Sequence, residues 1–383
     1  MTSGSHDMTK EAPMNRRDFM RTGTFAAMAG APLVGACART VPIQVKPATA
    51  DAIRIGVIGC GGRGTGAVVQ ALSTSQDVKL VAMADAFADR VQGSYETLTS
   101  FERDDWMGGD GDLNARIDVP PERRFAGFDA YKDVLPLVDV VILTTPPGFR
   151  PIHFEAAVEA GKQIFMEKPV ATDAPGIRRV LAAAAKAKEK RLNVVVGLQR
   201  HYQMLYREWV DRLHAGMIGD IGLGRVYWND AGVWVRERQP GQTEMEYQMR
   251  NWYYFTWLCG DHIVEQHIHN IDVGNWVMGG HPVRAQGQGG RLVRRGKEHG
   301  EIFDHHFVEF EYANGARVLS QCRHMPRCMT RVSEGFHGSN GTAPRPGVIL
   351  SKSGVTLFEH DDSEDSNPYQ VEHDELLATV AAG

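Results

Sequence analysis

Two short stretches hold the residues best suited to move a proton. Glu167-Lys168-Pro169 closes the apolar run Gln163-Ile164-Phe165-Met166, which sets an ammonium at the end of a strand. Further along, in Gly260-Asp261-His262-Ile263-Val264-Glu265-Gln266-His267-Ile268-His269-Asn270-Ile271-Asp272, an acid is followed four residues later by a histidine and three beyond that by an aspartate. On one continuous helix these spacings bring Glu265, His269 and Asp272 to a single face, and His267 is turned off it by about 200°. An ammonium, an imidazole and a carboxylate together can take the proton of a hydroxyl and stabilise the alkoxide left behind. The plainer alternatives are a solvated lysine paired with Glu167 and a core histidine, though the latter buries Glu265 beside it at a cost. A metal reading could use Glu265 and His269, among 15 histidines that include His262, His267, His305 and His306. The chain offers neither H-E-x-x-H nor a clear third ligand, so no metal is assigned.

A cofactor that could take the hydride is written further upstream. The β-branched run Ile53-Arg54-Ile55-Gly56-Val57-Ile58 leads into Gly59-Cys60-Gly61-Gly62-Arg63-Gly64 and then into a helical stretch from Ala67 to Ser73. This is G-x-G-x-x-G between strand and helix: Gly59 for the tight turn, Gly61 for close approach of a pyrophosphate, Gly64 for helix packing, with the helix N–H groups facing the anion. Val78 to Asp85 reads as the next strand and ends in a carboxylate 21 residues after Gly64, where ribose hydroxyls are bound. Asp85 favours NAD over NADP because it would repel a 2′-phosphate, although Arg90 lies one helical turn further on. Asp139 to Pro147, Gln163 to Pro169 and Asn193 to Gly197 read as further strands, and Pro151–Ala160 and Ala174–Arg191 as helices. Strands alternating with helices predict a doubly wound parallel sheet.

These motifs, in this order from Ile53 onward, resemble the Gfo/Idh/MocA oxidoreductases, the superfamily of glucose-fructose oxidoreductase and inositol dehydrogenase. The resemblance implies an α/β protein: an N-terminal Rossmann domain, residues 51–200, and a C-terminal α+β domain, residues 201–383, with an open, mostly antiparallel sheet. It implies that Lys168 lies between nicotinamide and substrate and that the bond before Pro169 is cis. The cofactor set is then Gly59, Gly61, Gly62, Arg63, Gly64, Asp85, Thr145, Pro146, Glu167 and Lys168, for tightly bound NAD. The substrate set is Lys168, Arg200, Trp252, Glu265, His269 and Asp272, with Lys168, His269 and Glu265 catalytic: His269 or Lys168 serves as the base, and Glu265 either touches the substrate or orients His269. Many members carry aspartate where this sequence has Glu265.

The texture of the second half fits that plan. Leu223–Val235 and Val283–Arg291 read as strands, and Phe307–Tyr312 with Arg317–Cys322 as a hairpin around Asn314-Gly315. Among the aromatic residues from Trp252 to Trp257, Trp252 is the preferred sugar-stacking face, and Gln199 is a further cleft candidate beside Arg200. The expected activity is oxidation of a sugar, glycoside or cyclic polyol hydroxyl by hydride transfer to nicotinamide. Two rivals stand beside it: a redox-neutral, NAD-dependent glycosidase passing through a 3-keto intermediate, and a sugar-binding protein without turnover. A homo-oligomer is implied as well. The terminal segment Val371–Val380 begins an amphipathic helix, where resembling proteins continue with another helix that packs back on the first domain, so the chain is read as a possible fragment.

Composition agrees. The chain has 383 residues, enough for two or three domains at about 150 each, and its formal charge of −5 excludes nucleic acid as the main partner. No apolar run reaches the roughly 18 residues of a membrane-spanning helix. Residues 1–37 read as an export signal: Arg16-Arg17 ahead of an Ala/Gly-rich run resembles a twin-arginine signal, and Val34-Gly35-Ala36-Cys37 resembles a lipobox. Cys37 would then carry lipid and anchor the protein on the periplasmic or outer-surface side, with residues 38–50 as a tether. Cys322 and Cys328 are close enough in sequence to be bridged there, although two small buried residues are the preferred reading. The Gly/Asp-rich stretch 107–112 is expected to be a surface loop.

Overall fold

The computed structural model describes residues 52–100 and 113–383. The signal, Cys37, the tether and the Gly/Asp-rich stretch lie outside the described residues. Six strands, β1 (Ile53–Ile58), β2 (Val78–Asp85), β3 (Arg124–Ala126), β4 (Val140–Leu143), β5 (Gln163–Met166) and β6 (Val194–Val196), form one sheet. Its order is β3-β2-β1-β4-β5-β6, all parallel. Successive residues of these short apolar runs feed opposite faces, as the two-residue period of a strand requires. Val140, Ile142 and Phe165 enter one core with Ile55 and Val57, while Val141, Leu143, Ile164 and Met166 enter the other. The strand order reverses between β2 and β4, on either side of β1, which opens a crevice at the carboxyl ends of β1 and β4.

The second sheet has eight strands: β7 (Ile221–Asp230), β8 (Arg284–Gly290), β9 (His305–Glu311), β10 (Arg317–His324), β11 (Arg331–Gly338), β12 (Gly341–Arg345), β13 (Val348–Ser351) and β14 (Thr356–Glu359). Its order is β14-β13-β12-β11-β7-β10-β9-β8, antiparallel except for the parallel pair β7–β10. The expected hairpin is β9–β10, turned at Gly315 with φ +82°. Along β10 alternate residues are buried, so Val318, Ser320, Cys322 and His324 look to one side. On that side lies the helix Ile268–Met278; a Cβ on Gly274 would stand 3.7 Å from both Val226 and Val318. Cys322 is buried, Cys328 is exposed and both are free thiols, so the bridge between them is not formed.

The final helix, Pro368–Ala382, packs against the helix Gly62–Leu72 and places Leu376 and Leu377 in the same core as Ile55 and Phe165. This helix thus packs back on the first domain. Burying a leucine contributes roughly 1.5–3 kcal/mol.

Candidate active site

The glycine loop has the shape of a dinucleotide cradle. Gly59 has φ +105°, and a Cβ there would come within 2.6 Å of the Thr144–Thr145 backbone. A Cβ on Gly64 would meet the Gly59 carbonyl oxygen at 1.9 Å, whereas one on Gly61 would meet nothing within 4 Å. Two glycines thus close the turn and one leaves a free approach. The helix that starts at Gly62 has no side-chain cap, so its first N–H groups are available to an anion. Asp85 accepts from the Cys60 N–H at 2.8 Å and from the Phe87 N–H at 3.0 Å. Each carboxylate oxygen keeps a lone pair for a ribose hydroxyl. Burial pushes the Asp85 carboxyl upward, against these two backbone bonds and the charge of Arg90. Thr144 Oγ1 donates to the Gly59 carbonyl at 2.7 Å, and Thr145 shares a hydrogen bond with His153 at 3.1 Å. These residues fit NAD.

Arg63 and Glu167 hold one another instead of pointing into the crevice. The Arg63 guanidinium binds Glu167, donates to Gln70 at 2.7 Å and reaches Glu372 of the last helix at 3.0 Å. Gly197 leaves room for this arrangement, since a Cβ there would stand 2.7 Å from Glu167 Oε1. The Arg63 side chain thus fixes the carboxylate beside Lys168, which leaves only its backbone N–H at the helix start for the expected cofactor role.

The Lys168–Pro169 peptide is cis. Lys168 Nζ donates to the Glu265 carbonyl at 2.7 Å and to Glu265 Oε1 at 3.3 Å. An ammonium has three N–H bonds, so one remains for a substrate oxygen. Glu265 is buried, and its Oε2 has no partner. Burial raises its pKa, with Lys168 and Arg150 pulling the other way. Arg150 was not anticipated. It is 1% exposed, donates to the carbonyls of Leu143 at 2.5 Å and Thr145 at 2.7 Å, and is pushed down to about 10 by burial despite Glu167 and Glu265.

Glu265 and His269 do not share a helix. Glu265 ends the short helix His262–Glu265 and His269 belongs to Ile268–Met278. Between them the His267 N–H reaches back five residues to the His262 carbonyl at 3.2 Å, and the His267 ring is held by Ser320 at 2.8 Å and Asn270 at 3.2 Å. That side chain is drawn onto β10 where one helix ends and the next begins. No hydrogen bond joins Glu265 to His269, so the expected orienting role is corrected: Glu265 serves Lys168. The His269 ring stacks on Trp228 with centroids 6.1 Å apart, and its buried Nδ1 has no partner. Burial, then the charges of Lys168 and Arg200, hold its pKa well below the usual histidine range. Its unpartnered ring nitrogen is the feature that could exchange a proton, with Lys168 close enough to be felt.

Three other expected substrate residues are engaged elsewhere. Arg200 is buried against Glu334, which also accepts from Tyr206 at 2.9 Å and Asn270 at 2.6 Å. It ties the end of the Rossmann segment to β11 rather than facing a ligand. The Asp272 carboxylate binds His201 Nε2 at 2.7 Å, and His201 stacks on Trp276 at 4.2 Å. Trp252 is half-buried and packs edge-on against Trp234 at 5.8 Å. The aromatic face beside the candidate base is Trp228. Its alternation on β7 was legible, but nothing in the sequence paired that strand with His269.

A parallel sheet with a glycine cradle at its switch point, together with a lysine-acid pair and a buried histidine, defines a dinucleotide-binding oxidoreductase. The family model for "Oxidoreductase family, NAD-binding Rossmann fold" matches residues 53–196, and that for the "GFO/IDH/MocA C-terminal domain" matches 206–343. The chain belongs to the Gfo/Idh/MocA oxidoreductase family. It is 24% identical over 293 residues to an inositol 2-dehydrogenase of Rhizobium meliloti, covering 76% of this chain and 74% of that one. Among solved structures, the aldose-aldose oxidoreductase from Caulobacter crescentus, complexed with glycerol, superposes with a TM-score of 0.64 at 16% identity, covering 86% of this chain and 90% of the other. The WlbA dehydrogenase from Bordetella pertussis, in complex with NADH and UDP-GlcNAcA, gives 0.60 at 18% identity, with 88% and 85% covered.

Proposed function

We propose that this protein is an NAD-dependent dehydrogenase that oxidises a ring hydroxyl of a cyclic polyol or sugar. NAD supplies the hydride acceptor. Gly59, Gly61 and Gly64 with the uncapped helix would hold its pyrophosphate, and Asp85 its ribose. The observation that carries the reading is the Lys168 ammonium, which is fixed on Glu265 by two of its N–H bonds and keeps the third for the substrate. Its charge and that N–H stabilise the oxygen as the hydroxyl proton leaves. His269, neutral and stacked on Trp228, takes the proton. Glu265 holds the ammonium in place, and Arg150 behind it tempers the buried negative charge.

The test is to incubate the protein with NAD and a panel of inositols, aldoses and glycosides, following NADH and released aglycone together. NADH formation on at least one inositol or sugar supports the dehydrogenase. Aglycone release without net NADH would point to the redox-neutral cycle, and silence on every substrate would leave only binding.

The same proposal has the protein exported in the folded state with NAD aboard and anchored through lipid on Cys37, a reading supported by Arg16-Arg17 and the Val34–Cys37 sequence. Fractionation of cells expressing the wild type and Cys37→Ala checks it: membrane association lost only in the variant supports the anchor, and a protein retained inside the cell with its first residues intact overturns export.

A further inference from the structure

We propose that His262, His306 and Cys322 form a metal site for a borderline thiophilic cation, Zn²⁺ in the first instance, at the root of the short helix that carries Glu265. The strand register builds it. His306 of β9 and Cys322 of β10 are direct partners in the antiparallel ladder, and Cys322 lies on the same side as Ser320 and His324, facing the helices. His262 opens the helix above that side. One ligand atom from each of the three lies within 4.8 Å of the others, and Cys322 Sγ stands 3.7 Å from His306 Nδ1. Tetrahedral zinc with N and S ligands separates its donors by about 3.3–3.6 Å, so the Cys322–His306 pair is already near that spacing and the widest pair has to close by roughly 1–1.5 Å.

A second, independent feature points to a ligand. His262 is 0% exposed, and its Nε2 is buried with no partner. An orphaned ring nitrogen in the interior costs free energy unless something binds it. The other nitrogen, Nδ1, is held by Asp261 Oδ1 at 3.0 Å. A carboxylate on one ring nitrogen fixes the tautomer so that the opposite nitrogen presents its lone pair, the arrangement that orients metal-binding histidines. Asp261 itself is pinned by the N–H groups of His262 at 2.6 Å and Phe303 at 2.8 Å, and its Oδ2 lies 3.8 Å from His306 Nε2. His324 stacks on His262 at 4.8 Å but shares its Nδ1 with Arg294 at 2.8 Å, so it walls the site rather than ligating. Two imidazoles and a thiolate disfavour Mg²⁺ and Ca²⁺, which require oxygen ligands. On binding, the Cys322 thiol gives up its proton to solvent and forms an S–metal bond, with no change of oxidation state. The ion would join β9, β10 and the helix ending at Glu265, and it takes no part in hydride transfer.

The test is titration of the chelator-treated full chain with Co²⁺. The expected result is one equivalent bound with a thiolate-to-cobalt charge-transfer band and the strong visible bands of four-coordinate cobalt, all displaced by Zn²⁺. Absence of the charge-transfer band in the wild type overturns the proposal, whatever the variants do. Cys322→Ser should abolish the band while Cys328→Ser keeps it, with circular dichroism checking the fold; a band unchanged in a folded Cys322→Ser overturns the assignment. Should Cys322→Ser not fold, Asp261→Asn provides the second reading, with Co²⁺ affinity expected to fall about 10- to 100-fold. An unchanged affinity there would remove Asp261 and the His262 tautomer from the site and overturn the assignment.

Discussion

Replacing Lys168 by methionine removes a charge while keeping most of the side-chain volume, and the structure separates what this should do to stability from what it should do to turnover. The Lys168 and Glu265 side chains are 13% and 8% exposed. Breaking a buried pair by deleting one partner costs about 3–5 kcal/mol when the other charge stays. Here the acid has a way out, because burial already raises its pKa and its remaining oxygen has no partner. In Lys168→Met, Glu265 takes up a proton, and the loss falls to about 1–3 kcal/mol, that of a charge-assisted hydrogen bond. Turnover has no such relief, since the oxygen charge that develops as the proton leaves has no other ammonium beside it. A loss of about 10²–10⁴ in kcat/KM is expected, equivalent to about 2.7–5.5 kcal/mol of barrier, with NAD affinity little changed because the glycine loop and Asp85 that would hold its pyrophosphate and ribose stay in place. The double variant Lys168→Met/Glu265→Gln should recover the stability without the activity. Urea unfolding and initial rates of NADH formation on the best substrate of the panel measure both. If Lys168→Met keeps kcat/KM within tenfold of the wild type, or if the double variant regains turnover along with stability, the pair is packing and the reasoning about the alkoxide is wrong.

His269→Ala should lower turnover by about 10² or more with NAD binding intact, and combined with Lys168→Met it should cost less than the product of the single effects; rates of the four proteins measure it. Asp85→Ser should weaken NAD more than NADP in a fluorescence titration, whereas equal losses would assign Asp85 only to holding the Cys60 and Phe87 N–H groups. Arg200→Met should lower stability by about 3–5 kcal/mol, because Glu334 stays fully buried without its cation, and Glu334→Gln added to it should restore much of this. Substrate KM should not move, and a large rise in KM in a folded Arg200→Met protein would return Arg200 to the cleft. His153 and His267 are held down to about 3, chiefly by burial. Their unfolded pKa is about 6.5, so in the window between, the unfolded chain binds the protons and the folded one does not. Their contribution is intact above about pH 6.5 and is lost as the pH falls, by roughly 2 kcal/mol for each ring at pH 5. Urea midpoints that stay level from pH 7 to pH 5 would contradict it.

What could be read from the sequence divides along a physical line. The Rossmann half was legible because its strands are short, buried on both faces and punctuated by glycines whose function is local: Gly59, Gly61 and Gly64 act within six residues of one another, and Asp85 ends the adjacent strand. Lys168 could be placed for the same reason, at the close of β5. What misled was a spacing with two solutions. Four residues from Glu265 to His269 suit an unbroken helix, and nothing local shows that His267 will be drawn to Ser320 on β10, so that Glu265 turns to Lys168 and His269 to Trp228. Arg200 shows the same gap, since its partner Glu334 stands on a strand far along the chain. Charged side chains near a cleft can bind a ligand or one another, and only the pairing of β7, β10 and β11 decides which. That pairing also brings Cys322 beside His306, a juxtaposition of sulfur and imidazole that counting residues along the chain does not reveal.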